Sequence, residues 1–376
     1  MRALLILVVL AGSYLASHRL VLTVLVAATT VTIVSWAMAP QLSTARNGDP
    51  TVLAHLDQQA GRDMLVGLHN LAVAEVDLDA SQKVRMAGIG ADDTTRMEVG
   101  SMTKAMTGLV IADAVRRGEV RMGVPVATYL HQLEGTAAGM VTMHELVTHS
   151  AGYAEFGTAT LRAAAWRAPL GQDFMTADHA QMTEETRTQT LTGRGSYAYS
   201  TLGAATAGQA VAVAAGMSYP ELMRTRLFEP LAMSHTAIQT DDALIAGGQS
   251  PTGLPVRPWV MGAYAPGGAA VSTTGDIAKL ATALLDGTAP GMPALEPTSD
   301  TDQSNSRVGG FWRISTWRTG QTITWHNGQT GGYASYLGLD RPQHKAVIIL
   351  SDVATDATPT DLGIALLADR GAPIPQ

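Results

Sequence analysis

Extended, apolar runs crowd the two ends of this chain and are nearly missing from its middle, and that distribution limits the fold more than any single motif. Near the start, HNLAVAEVDLD (69–79) and KVRMAGIG (83–90) are separated by three small or polar residues and read as a hairpin. Near the end, GGFWRIST (309–316), QTITWHNG (321–328), YASYLGLD (333–340) and KAVIILSD (345–352) follow one another through short turns, the pattern of an antiparallel meander. Between them the pattern is helical. A helix runs from Ser101 to about Arg117 and stops at Gly118; TMHELVTH (142–149) opens on a Thr142/Glu145 capping box; STTGDIAKLATALLDG (272–287) is another capped helix. Residues 155–260, rich in Ala, Thr and Met, read as mostly helical, and a last helix covers about 360–369. The simplest assembly is α+β: one antiparallel sheet collects both sets of strands, helices flank it, and residues of roughly 125–260 form a helical lobe. A cleft between lobe and sheet is then the expected site.

The first forty residues stand apart. Residues 3–17 and 20–39 carry no charge, and the second run would span about 30 Å as a helix, the thickness of a bilayer core. A two-helix hairpin, a single anchor with an apolar lead-in, and a signal cleaved after Ala37-Met38-Ala39 are the competing readings. The retained anchor is preferred, because a long apolar stretch is a poor n-region. Residues 1–40 are therefore expected to be an anchor or signal region, 41–60 a linker, and 61–376 the globular domain, held at the cell membrane outside the cytoplasm, or secreted if the segment is cleaved.

Charge and composition exclude several functions. The balance of 25 Lys plus Arg against 32 Asp plus Glu gives −7, with no basic run, which argues against a nucleic-acid partner. Absence of cysteine removes thiol nucleophiles, disulfides and Cys-ligated metals. His144 and His149 imitate a zinc helix, but five residues of spacing turn the imidazoles about 140° apart. Thr148-His149-Ser150-Ala151-Gly152 resembles Gly-x-Ser-x-Gly, yet lacks its first glycine and follows a helix. No metal site is expected.

Three short stretches can carry chemistry. Ser101-Met102-Thr103-Lys104 puts a hydroxyl and an amine one turn apart at a helix start, where free N–H groups favour developing negative charge. A desolvated amine there can accept the serine proton near neutral pH; the plainer alternative is an N-cap serine beside a solvated lysine. Tyr199-Ser200-Thr201 precedes a small-residue helix, and a tyrosine placed so can enter a cleft as a base, or simply sit in the core. His326-Asn327-Gly328-Gln329 lies at the end of a strand whose glycine would let a ligand backbone lie alongside, unless it is only a turn with an exposed histidine.

Taken in order, Ser-x-x-Lys, Tyr-x-Thr and His-x-Gly resemble the serine β-lactamase and penicillin-binding family, in the branch of class C β-lactamases, D-Ala-D-Ala carboxypeptidases and related esterases. RMEVGSMTKAMTGLVIADAVRRGEV, VTMHELVTHSAG, LFEPLAMSHT and APGGAAVSTTGDIAKL are similar to further landmarks of that family, in its order, over roughly 60–352. The resemblance implies that Ser101 forms an acyl-enzyme, that Lys104 and Tyr199 share the proton traffic, and that the Ser101 and Gln329 N–H groups make an oxyanion hole. It implies substrate contacts from Thr201, His326, Gly328 and Gln329, no cofactor, and a small-molecule or peptidoglycan-like peptide substrate: D-amino peptides, β-lactams or esters. Two departures stand out. Thr201 occupies the usual Asn position, and His326 replaces the lysine of Lys-Thr-Gly. No Glu-x-x-Leu-Asn stretch is present, which argues against the class A deacylation route. The alternative is a penicillin-recognising sensor that is acylated without turnover.

Overall fold

The computed structural model describes residues 39–317, 320–355 and 357–368. Residues 1–38, and with them the expected anchor or signal, lie outside the described residues. Among the described residues no helix is long and apolar enough to cross a membrane.

The strands expected at the two ends do join in one sheet. In chain order they are β1 (Arg46–Gly48), β2 (Leu71–Asp77) and β3 (Val84–Ile89), then β7 (Ser299–Asp300), β8 (Ser306–Val308), β9 (Arg313–Thr316), β10 (Thr322–Gln329), β11 (Ala334–Asp340) and β12 (Lys345–Ser351). The order across the sheet is β1-β3-β2-β12-β11-β10-β9-β8-β7, every pairing antiparallel. The junction is β12 against β2, with Ile348 opposite Ala74. A second, three-stranded sheet of β4 (Met97–Glu98), β6 (Ala270–Ser272) and β5 (Ala237–Ile238) carries the chain into the turn that holds Ser101.

The period-two alternation of strand side chains divides two cores. Ala72, Ala74 and Val76 of β2, with Ile348 and Leu350 of β12, face the helical side. Leu71 and Val73, with Val347 and Ile349, face the other way, against α1 (Pro50–Met64) and a C-terminal helix, Ala357–Leu367. Burial on both faces explains why residues 346–350 are an unbroken apolar run. On the helical side lies α2 (Met102–Arg116), buried along most of its length. Gly108 lets it approach the Gly310 carbonyl, where a Cβ would stand 1.9 Å from the oxygen.

Several expectations need correction. Residues 41–60 are not a linker: they contain β1 and most of α1, whose Val52, Leu56 and Ala60 form a buried stripe. Residues 309–312 are not strand. Phe311 has φ 66° and donates its N–H to the Val147 carbonyl, so the chain bends inward before β9 begins. The middle carries helices only up to Phe228, interrupted by irregular chain at 171–178 and 188–200, and from 239 to 261 it is irregular. The Thr142/Glu145 capping box is present, on a helix of Met143–Val147.

Candidate active site

Gly100 and Gly328 bring two backbones together to make the site. Gly100 has φ 51°, and a Cβ there would stand 2.7 Å from the Gln329 nitrogen; a Cβ on Gly328 would stand 2.0 Å from the Val99 carbonyl and 2.8 Å from the Ser101 nitrogen. Ser335 Oγ on β11 donates to the same Val99 carbonyl at 2.8 Å. The turn before α2 is thereby held flat against β10. β9 pairs with β10 only as far as Trp325, so His326–Gln329 present their outer edge to open space. That space is a cleft of about 360 Å³, and Ser101, Lys104, Tyr199, Thr201, His326, Gly328 and Gln329 all line it.

Ser101 stands at the N-cap of α2, but its hydroxyl caps nothing. It accepts instead from Lys104 Nζ at 2.9 Å. Lys104 is fully buried and donates a second bond to the Gly267 carbonyl at 2.6 Å, which removes the reading of a capping serine beside a solvated lysine. Burial costs the ammonium its hydration, and this pushes Lys104 down to about 7 despite the opposing field of Glu155. Once neutral, the contact reverses: the serine O–H donates to the amine lone pair. The amine sits 4.9 Å from the centre of the Tyr199 ring.

Tyr199 lines the same cleft as Ser101, and burial raises its pKa well above the ordinary phenol value, against the opposing influence of the Ser101 hydroxyl. It is a neutral hydroxyl at pH 7, not the phenolate base the sequence reading allowed. Thr201 is buried at the first turn of a helix, Thr201–Ala215, its methyl against Gly267. His326 points into the cleft with Nδ1 on the Asn327 carbonyl; desolvation drives it down to about 3, outweighing that bond. It is uncharged, so it does not reproduce the positive charge of the lysine it replaces.

A fixed positive charge is nevertheless present. Arg313, at the start of β9, lines the cleft, with Nε buried and without a hydrogen-bond partner, while its outer end meets Gln303 and Asp302. Sequence reasoning passed over it, although its place one strand from His326 follows from the meander once register is known. Glu155 and the aromatic rings of Phe311 and Trp259 complete the walls. The motifs set aside stay apart: Ser150 Oγ is engaged by Thr148, and His144 turns toward Ser299 while His149 faces the cleft.

With this geometry in hand, the comparisons agree on one group of proteins. The family model described as Beta-lactamase matches residues 66–372. The chain is 28% identical over 150 residues to the Beta-lactamase of Escherichia coli (strain K12), covering 40% of this chain and 36% of that protein. It is 26% identical over 281 residues to Penicillin-binding protein 4 of Amycolatopsis lactamdurans, covering 67% and 71%. It thus spans about a third of the first relative's length and most of the second's. In fold, a Beta-Lactamase/D-Alanine Carboxypeptidase from Pseudomonas syringae superposes with TM-score 0.70 at 17% identity, over 86% of this chain and all of that one.

Proposed function

The chain belongs to the beta-lactamase family of serine hydrolases, and from that premise we propose that it works through a Ser101 acyl-enzyme on small acyl substrates bearing a carboxylate. One observation carries this reading: Ser101 Oγ lies 2.9 Å from the amine of a fully buried lysine whose pKa is lowered to about 7. Neutral Lys104 takes the serine proton as Oγ attacks the carbonyl. The Tyr199 hydroxyl, in the same cleft, passes a proton to the leaving group. The oxyanion forms beside the Ser101 and Gln329 N–H groups, where Gly100 and Gly328 keep the two backbones in contact. Arg313, with a guanidinium suited to bidentate contact, supplies the anchor for a carboxylate, as in D-amino peptides and β-lactams.

Thr201 tunes the choice between these amide-bearing substrates and simple esters. Its hydroxyl is shorter than an Asn amide and cannot offer both a donor and an acceptor in fixed geometry. A substrate side-chain amide is left with an unmade hydrogen bond, a cost of about 1–3 kcal/mol. Thr201→Asn should therefore raise kcat/KM for an acyl-D-Ala-D-Ala peptide by roughly 5- to 150-fold relative to a short-chain ester. The ratio measured in both variants tests the placement; an unchanged ratio removes Thr201 from the substrate contact. The same assay tests the function. Sustained turnover supports the hydrolase, and a single equivalent of product per protein supports the non-turnover sensor that Thr201 also suits.

The uncharged run 20–39 supports a membrane tether with the domain outside the cytoplasm. Alkaline carbonate extraction of membranes should leave the full chain in the pellet; release into the supernatant would contradict the tether.

A further inference from the structure

His149 was set aside as a metal ligand, yet it is among the most constrained residues in the cleft. It is 2% exposed and holds a left-handed backbone, φ 56°, which a non-glycine residue adopts only when its surroundings enforce it. Those surroundings are the segment carrying Tyr199. The His149 carbonyl accepts the Ala198 N–H at 2.7 Å, and its Nδ1 accepts the Ser200 N–H at 3.1 Å, so both residues flanking Tyr199 are tied to it. The imidazole lies against the Tyr199 ring, centres 4.6 Å apart and planes 36° apart, with Phe311 at 5.2 Å and Tyr197 edge-on at 5.7 Å.

The protonation state follows. Accepting at Nδ1 places the ring proton on Nε2. Burial, with Lys104, His326 and Arg313 nearby, holds the imidazole neutral, its pKa well below the ordinary value. Nε2 is buried and has no hydrogen-bond partner, so the ring does not owe its place to that atom. What fixes it are the bonds to the Tyr199 segment and the stacked rings.

We propose that His149 is the positioning residue for Tyr199: it grips the chain on both sides of the tyrosine and backs its ring, holding the phenol in the cleft that Ser101 lines. The inference rests on the catalytic reading of Tyr199 given above. Sliding the hydroxyl by a fraction of an ångström weakens proton transfer while leaving the substrate-binding walls in place.

A double-mutant cycle with Tyr199→Phe tests it. His149→Phe keeps a ring but loses the acceptor, and should lower kcat about 10- to 100-fold with KM changed by less than about threefold. In the Tyr199→Phe background the same substitution should cost less than about twofold more. If it exacts its full loss there, His149 acts independently and the inference is overturned, while the role of Tyr199 stands. If Tyr199→Phe alone retains wild-type kcat, the reading of Tyr199 fails and the inference with it. Because phenylalanine at a left-handed position strains the backbone, His149→Asn and His149→Ala form a second pair. Asn accepts that conformation, and its Oδ1 can take the Ser200 N–H. Assayed well below both melting transitions, the Asn variant should exceed the Ala variant in kcat by about fivefold or more; equal kcat values would overturn the proposed grip.

Discussion

Lys104→Arg should lower the rate of acylation by about 10²-fold or more, the usual size of a general-base contribution. The substitution keeps a cation one turn from Ser101 but removes any base, because a guanidinium does not lose its proton at ordinary pH. The pH profile sharpens the test. A lysine lowered to about 7 is charged below that pH and neutral above it, so kcat/KM should climb through neutrality and level off; at pH 6 only about a tenth of the enzyme carries the free amine. Two neighbours cannot supply that limb. His326 sits near 3, and Tyr199 is shifted upward from the phenol range. Glu98 can: burial raises it to about 7, and it holds the Trp259 N–H beside the cleft. Loss of the limb together with the rate in Lys104→Arg assigns it to the lysine. A limb that persists in the variant belongs to Glu98 and contradicts the proposed base.

The second large effect is expected at a residue with no side chain. Gly328→Ala must place a methyl 2.0 Å from the Val99 carbonyl and 2.8 Å from the Ser101 nitrogen. Both are backbone atoms, so β10 and the nucleophile turn have to separate. A displacement near 1 Å at reacting groups costs about 10² in rate, and overpacking a tight contact costs about 1–3 kcal/mol in stability. Steady-state kinetics and thermal unfolding of Gly328→Ala should show both. A variant with unchanged kcat/KM would mean that the Gly328 approach does not set the oxyanion geometry.

What the sequence made readable was local. Ser101 and Lys104 are one helical turn apart whatever surrounds them, and the Thr142/Glu145 box needs only four residues. The strands at the chain ends were legible because burial on both faces leaves long apolar runs. What escaped depends on distant partners. The loss of charge on Lys104 comes from full burial, and its alignment from a carbonyl 163 residues away in sequence. The neutrality of His326 has the same origin, and it reverses the role that its position alone suggested. Arg313 enters the site only through the register that sets it opposite Trp325. The helix Pro50–Met64 was read as a linker because its single apolar stripe is diluted by polar residues that face solvent. His149 was weighed as a ligand, and a sequence cannot show that its nitrogen and its carbonyl both serve Tyr199.

Acylation of Ser101 forms a covalent bond at one oxygen. Intact-mass spectrometry after treatment with a penicillin or a fluorophosphonate, followed by peptide mapping, measures it directly. One adduct per chain is expected on Ser101, and none on Ser101→Ala. Labelling that survives in that variant, or that maps to Ser150 or Ser196, would contradict it.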